Sequence, residues 1–305
     1  MRILEHTGGQ NLVERERRLL AARAEGEDRK APVSPAEALG EFIARHRRLL
    51  VLTGAGCSTG SGIPDYRAAD GTWKHRRPMP FAEFATSAAA RRRYWAGSLR
   101  GWPRVRDAAP NAAHRALARL EAGGRVTRLV TQNVDGLHQR AGSRRAVDLH
   151  GRLDAVECLD CGACVPRADV QALLERWNAG LADGEAEARP DGDSGVEREL
   201  EGFRVPDCRD CGGVLKPAVV FFGENVPRAR VDEAMAALVR ADALLVVGSS
   251  LMVFSGFRFV LAAERAGLPV AAVNRGRTRA DDRLALKVDG DCAAVLAEAA
   301  AAAGC

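Results

Sequence analysis

A short apolar run, Leu49 to Thr53, ends abruptly on Gly54, Ala55 and Gly56. A run of that length followed at once by small residues is how a buried parallel strand enters a turn where backbone amides approach a phosphate. Similar runs recur at Val126 to Thr131, Ala243 to Val247 and Val270 to Val273, each after a stretch with helical spacing: Ala112 to Leu120, Val231 to Val239 and Phe257 to Ala266. Ahead of the first run, Ser34 and Glu37 have capping-box spacing, Pro35 suits the first helical position, and Ala38, Phe42 and Ile43 give one apolar face to a helix ending near Arg47. Strands alternating with helices imply an α/β fold with a doubly wound parallel sheet in a Rossmann-like domain.

Two segments break the alternation. Residues of about 67–110, rich in Arg, Ala and aromatics, read as a helical insertion, and residues 151–214 read as a smaller zinc-binding domain. The Rossmann-like domain then comprises 34–150 and 215–305, and 1–33 form a charged N-terminal extension with room for one helix. Ala179 to Leu200, poor in large apolar residues, reads as a mobile surface loop. Two CxxC pairs, Cys158 with Cys161 and Cys208 with Cys211, suit one tetrahedral thiolate-bound zinc. With all four positions taken by protein, such an ion holds structure together and leaves no open coordination for catalysis. Cys164 reads as a non-ligand.

A chain of 305 residues, 47% apolar and 28% charged, can bury the core of one large domain or two unequal ones. It has no run approaching the roughly 18 to 20 apolar residues of a membrane span, and charged residues stand where a secretory signal would be apolar. The expected location is cytoplasmic. The net charge of +5 includes a basic cluster at Arg91, Arg92 and Arg93, which reads as a solvated surface. No aromatic platform accompanies it, so no specific nucleic-acid binding is expected.

The Gly54-Ala55-Gly56 turn by itself leaves two readings, a tight turn or a phosphate loop. The hydride-transfer fingerprint would need glycine at Thr59, so the turn departs from that pattern. Its continuation, GAGCSTGSGIPDYR from Gly54 to Arg67, resembles the NAD-binding signature of the sirtuins. It is joined in family order by TQNVDGLH (Thr131 to His138), LHG (Leu149 to Gly151), VVFFGE (Val219 to Glu224), GSSL (Gly248 to Leu251) and VN (Val273, Asn274). The wording RYWAGSLRGWP, NAAH and TRADD is most similar to class II sirtuins, which include an ADP-ribosyltransferase and lipoamidase.

The resemblance implies an NAD-dependent protein lysine deacylase with NAD as co-substrate, one structural zinc, and acyl-lysine-bearing proteins as partners. It makes Gly54 part of the cofactor site and places the pyrophosphate against Ala55, Gly56 and the following amides, with Ser58 adding a hydroxyl. Ile63 and Asp135 would meet the nicotinamide carboxamide, in a loop that continues through Pro64, Asp65, Tyr66 and Arg67. Tyr66 would shield the reacting face and Arg67 anchor the loop. Gln132 and Asn133 would face the nicotinamide ribose, Gly248, Ser249 and Ser250 phosphate or ribose, Asn274 the adenosine ribose, and backbone at Cys292 the adenine. His150 would be the general base on a ribose hydroxyl, with Asn133 and Asp135 completing the catalytic set; an imidazole titrating near neutral pH suits that task. His114 and His138 read as structural. The acyl-lysine would run as an extended strand between Val220, Phe222, Gly223 and Glu224 on one side and Met252, Val253 and Phe254 on the other.

Products would be nicotinamide, free lysine and O-acyl-ADP-ribose. Protein mono-ADP-ribosylation at the same NAD site is the alternative, and a non-enzymatic NAD-sensing or zinc interaction module is the third. Sirtuins that remove succinyl or malonyl groups use Tyr and Arg three apart. Here Gly97 stands three after Tyr94, so weak desuccinylase activity is expected. Cys57, after the GAG turn, fills space or offers a reactive thiol.

Overall fold

The computed structural model describes residues 34–74, 77–180, 190, 200 and 202–303. The N-terminal extension and nearly all of the 179–200 loop lie outside the described residues. Among the described residues nine strands follow in chain order: β1 (Leu49–Thr53), β2 (Val126–Thr131), β3 (Ala146–Asp148), β4 (Gly151–Cys158), β5 (Cys164–Pro166), β6 (Leu215–Val219), β7 (Ala243–Val247), β8 (Val270–Val273) and β9 (Leu286–Val288). Six form one sheet in the order β3-β2-β1-β7-β8-β9. All its pairings are parallel. The chain builds outward from β1 to one edge, returns to the centre at β7, and builds to the other edge. A doubly wound sheet opens a crevice at such a reversal, between the carboxyl ends of β1 and β7.

Every residue of β1, β7 and β8 is buried, which is why these strands read as unbroken apolar runs. Val51, Leu245 and Val247 face Leu39, Leu117 and Leu296 on the helices Pro35–Arg45, Ala112–Ala122 and Cys292–Ala302. Leu50, Leu52 and Val246 face Ala234, Phe257 and Val260 on the helices Arg228–Val239 and Phe254–Arg265. Burying one such Leu, Val or Phe side chain fully is worth about 1.5–3 kcal/mol, so the two helical layers hold the sheet edges and the crevice in fixed relation.

Two helices start three residues earlier than their apolar spacing suggests, at Arg228 and at Phe254. Arg228 follows Pro227, which cannot itself continue a helix backwards. The early start at Phe254 puts Phe254 and Ser255 on a helix rather than in the preceding loop. β3 and β9, three residues each, carry too little periodicity to be seen in the sequence.

The 67–110 insertion contains the helices Phe81–Thr86 and Ala88–Asp107, the second capped by Ser87 Oγ, which accepts from Ala90 N–H (3.1 Å). Its Phe84, Trp95 and Trp102 pack with Val156, Leu174 and Phe221 in a third core. That core also receives a small antiparallel sheet, β5-β4-β6. β6 pairs with β4 through to Val219, so this sheet extends five residues, Leu215–Val219, beyond position 214.

Candidate active site

The loops leaving β1 and β7 cross at the switch point. Gly54 N–H donates to Val247 O (3.0 Å) and Gly56 N–H to Gly248 O (2.8 Å). A Cβ on Gly248, where φ is +62°, would stand 2.1 Å from the Cys57 nitrogen. Glycine here allows two backbones to touch. The N–H groups of Cys57 and Ser58 close back on Gly54 O and Ala55 O (2.9 and 3.0 Å). The amides of Gly56, Cys57 and Ser58 are thus engaged within the protein. What the turn offers is a surface with almost no side chains.

That surface forms one wall of a cavity of about 380 Å³. The residues assigned to cofactor and peptide line it, with the exceptions of Pro64 and Cys292. Cys292 is 5% exposed and its thiol points to Val273 O (3.5 Å), so its side chain belongs to the core.

Polar side chains along one side of the cavity hydrogen-bond in two groups. Asn133 Nδ2 donates to Gly54 O (3.1 Å) and to Ser58 Oγ (3.0 Å), and Ser58 Oγ donates to Asp135 Oδ2 (2.7 Å). The other Asp135 oxygen accepts from Leu137 N–H (2.9 Å). Ser249 Oγ donates to Gln132 Oε1 (2.7 Å), joining the β7 loop to the β2 loop. Leu251, at φ +58°, turns the chain so that Met252, Val253 and Phe254 run along the rim, where Phe254 is 55% exposed.

His150 lies beside Gln132. Its Nδ1 is 2.9 Å from Gln132 O, a carbonyl that can only accept, so Nδ1 carries the proton and Nε2 the lone pair. Nε2 is 2.8 Å from Ser255 Oγ. Burial pushes the imidazole down to about 4, and the nearby cations Arg230 and Arg258 add to that effect. At neutral pH the ring is an uncharged base.

The two histidines read as structural are so placed. His114 Nδ1 accepts from Asn111 N–H (3.2 Å) to close a capping box on the helix Ala112–Ala122. His138 Nε2 lies 2.8 Å from Thr53 Oγ1, and both rings are buried. Cys57 is 1% exposed beside them, and burial raises its thiol well above the usual range. A thiol so held is protonated and inert, which fits the space-filling reading.

The opposite wall is the segment after β6. Val220 N–H donates to His150 O (2.8 Å), and Phe222 O accepts from Phe81 N–H (2.9 Å). Lys216, 1% exposed, donates to Val219 O (2.7 Å) and pairs with Glu157 (2.9 Å) and Glu224 (3.3 Å). Glu224 also accepts from Phe221 N–H (2.8 Å), so one buried cation and one carboxylate set the course of this wall. Tyr66, Trp73 and Phe222 meet edge to face across the mouth, and Arg67 stacks on Trp73 (4.1 Å) while donating to Gly71 O (2.7 Å).

Beyond it, the ligating atoms of Cys158, Cys161, Cys208 and Cys211 all lie within 4.8 Å of one another. The Cys158–Cys211 and Cys161–Cys208 sulfur separations are 3.5 and 3.7 Å. Tetrahedral zinc with Zn–S of ~2.3 Å requires sulfurs roughly 3.8 Å apart, so the donor set fits that ion. Two matching turns present the thiols. Gly162 N–H returns to Cys158 O (3.0 Å) and Gly212 N–H to Cys208 O (2.9 Å), with φ of +75° and +74°. Cys164 is exposed on β5 and outside the cluster.

Ser255, Lys216 and Arg258 also line or brace the site and carry no sequence motif of their own. Lys216 stands just before the VVFFGE segment and Ser255 just after GSSLMVF, but Glu157 and His150, which they meet, lie far off in the chain, and nothing in local spacing announces the contacts.

The Sir2 family signature matches residues 54–255. A protein of Xanthomonas campestris pv. campestris named NAD-dependent protein deacetylase is 61% identical over 261 residues, covering 85% of this chain and 89% of the relative. NAD-dependent protein deacylase Sirt4 of Drosophila melanogaster is 47% identical over 263 residues, covering 85% and 84%. A solved structure of Sir2 with a p53 peptide and NAD⁺ is 31% identical with a TM-score of 0.68, covering 84% of this chain and 93% of the other. Another, a Sir2 variant with deacetylated p53 peptide and 3′-O-acetyl-ADP-ribose, has a TM-score of 0.70 at 31% identity, covering 86% and 95%.

Proposed function

The chain belongs to the Sir2 family, and on that premise we propose that it is an NAD-dependent protein lysine deacylase releasing nicotinamide and O-acyl-ADP-ribose. The observation that carries the reading is the lone pair of a neutral His150, held in one cavity with Asn133, Asp135 and the wall Val220 to Glu224. NAD supplies a glycosidic bond to cationic nicotinamide, whose loss opens C1′ to the acyl amide oxygen. The protein supplies the rest. Asp135 and Ile63 hold the carboxamide, and Asn133 and Gln132 orient the nicotinamide ribose. His150 takes the ribose hydroxyl proton at Nε2. The side-chain-free turn Gly54 to Gly56 lets the pyrophosphate lie close to backbone, and Ser249, Ser250 and Asn274 hold the remainder.

The substrate enters as an extended peptide between Phe222–Glu224 and Val253–Phe254. Main-chain pairing there gives affinity with little selectivity for sequence. Four cysteine thiolates hold zinc in the small sheet, which we assign with its loop to a separate zinc-binding domain. Its role is to brace β4 and β6, and through them His150 and the peptide wall. No helix among the described residues is long and apolar enough to cross a membrane. A cytoplasmic location and protein rather than nucleic-acid substrates complete the reading.

The test is incubation with radiolabelled NAD and acetyl, lipoyl, biotinyl, succinyl and long-chain acyl-lysine peptides, beside His150→Ala, with every labelled product resolved. O-acyl-ADP-ribose is expected, with acetyl or lipoyl peptides turning over faster than succinyl ones, and loss of acyl transfer in the variant. Label retained on protein with no acyl product would replace deacylation by ADP-ribosylation, and no NAD consumption would leave only a binding module.

A further inference from the structure

The working nitrogen of His150 does not face the cavity bare. With Nδ1–H committed to Gln132 O, the Nε2 lone pair receives the hydroxyl of Ser255 at 2.8 Å. Ser255 is 8% exposed, sits in the first turn of the helix Phe254–Arg265, and lines the cavity. Because its proton points at Nε2, its oxygen lone pairs are what a bound hydroxyl meets. A substrate hydroxyl seeking His150 must either evict this buried group from its partner or donate to its oxygen. Eviction leaves a serine hydroxyl stranded on a rigid helical turn, so donation is the less costly course.

We propose that Ser255 is a catalytic residue that relays the ribose proton to His150; the inference rests on the deacylase reading above. As the ribose oxygen bonds to the acyl carbon, its O–H bond breaks and the proton passes to Ser255 Oγ. The serine's own proton passes to Nε2. His150 gains one positive charge, the serine hydroxyl is restored, and no further reactant is needed. Nearest-neighbour geometry of this kind, nucleophile-side hydroxyl to imidazole to backbone carbonyl, is how a base is oriented and supplied with a proton path. The relay acts after nicotinamide has left, and that timing separates it from a purely structural role.

The experiment compares wild type, Ser255→Ala and Ser255→Thr in two assays: acyl transfer from an acetyl-lysine peptide, and exchange of labelled nicotinamide into NAD in the presence of that peptide. In Ser255→Ala acyl transfer is expected to fall about 100-fold, far more than exchange, and Ser255→Thr, which keeps a hydroxyl, to recover most of it. The solvent deuterium effect on acyl transfer should show two protons in flight in wild type and one in the alanine variant. Wild-type transfer in Ser255→Ala, an equal fall in exchange, or no recovery in Ser255→Thr would each overturn the relay. Wild-type protein that transfers no acyl group while still consuming NAD would instead overturn the deacylase reading beneath it.

Discussion

Lowering the pH from 7.5 to 5 is expected to cost this fold several kcal/mol through histidines that burial keeps uncharged. His114 is fully buried and pushed down to about 4, and His150 is likewise pushed to about 4. In the unfolded chain both titrate near 6.5. Between those values the unfolded state binds more protons than the native state. Stability is therefore full above about pH 6.5 and falls as the pH drops toward 4. At pH 5 a group with these two pKa values contributes roughly 2 kcal/mol of destabilisation. His150 opens onto the cavity and contributes less than His114, and His138, lowered by burial, acts in the same direction. The sum is on the order of 3–4 kcal/mol, a large part of the ~5–15 kcal/mol that holds a typical domain. Urea unfolding followed by circular dichroism at pH 7.5, 6.5, 5.5 and 5.0, with zinc held saturating, measures it. His114→Gln should flatten the pH dependence by about 2 kcal/mol while leaving the four cysteines and their own titration in place. A urea midpoint unchanged between pH 7.5 and 5, or a wild-type pH dependence in His114→Gln, would refute the reasoning.

Three further outcomes are expected. Metal analysis should find one zinc per chain in wild type and in Cys164→Ser, and none in Cys158→Ser or Cys211→Ser, whose small sheet should then lose protection in hydrogen exchange. Gly248→Ala puts a Cβ 2.1 Å from the Cys57 nitrogen at a left-handed φ. It should destabilise the fold by about 2–4 kcal/mol and weaken NAD binding at least ~10-fold by calorimetry, because the two crossing loops must part. Lys216→Met leaves Val219 O and the part-exposed Glu157 and Glu224 without their shared cation and should lower stability by about 1–3 kcal/mol in thermal unfolding, with a larger loss in peptide KM than in NAD binding.

Much of the scaffold was legible because it depends on local pattern. β1, β7 and β8 are buried on both faces, and burial on both faces leaves an unbroken apolar run in the chain; β2 is buried except at Thr127 and Arg128. The zinc ligands declare themselves because each CxxC pair must fit one tight turn around one ion. The cavity walls followed from motifs whose residues do converge, Pro64 and Cys292 apart.

What the chain could not declare are relations between segments far apart in it. His150 and Ser255 are 105 positions apart, and only the packing of the helix Phe254–Arg265 against β7 and β8 brings the hydroxyl to the imidazole. Lys216 looks in sequence like a surface lysine; it is buried because two carboxylates and a carbonyl surround it in the folded state. The glycines after β1 suggest amides open to a phosphate, yet the β7 loop claims the Gly54 and Gly56 N–H groups. By itself the sequence determined which elements form and which chemistry they carry, since periodicity and ligand spacing are local. Tertiary structure alone decided which groups meet, because a hydrogen bond between distant segments exists only once the core has fixed their distance.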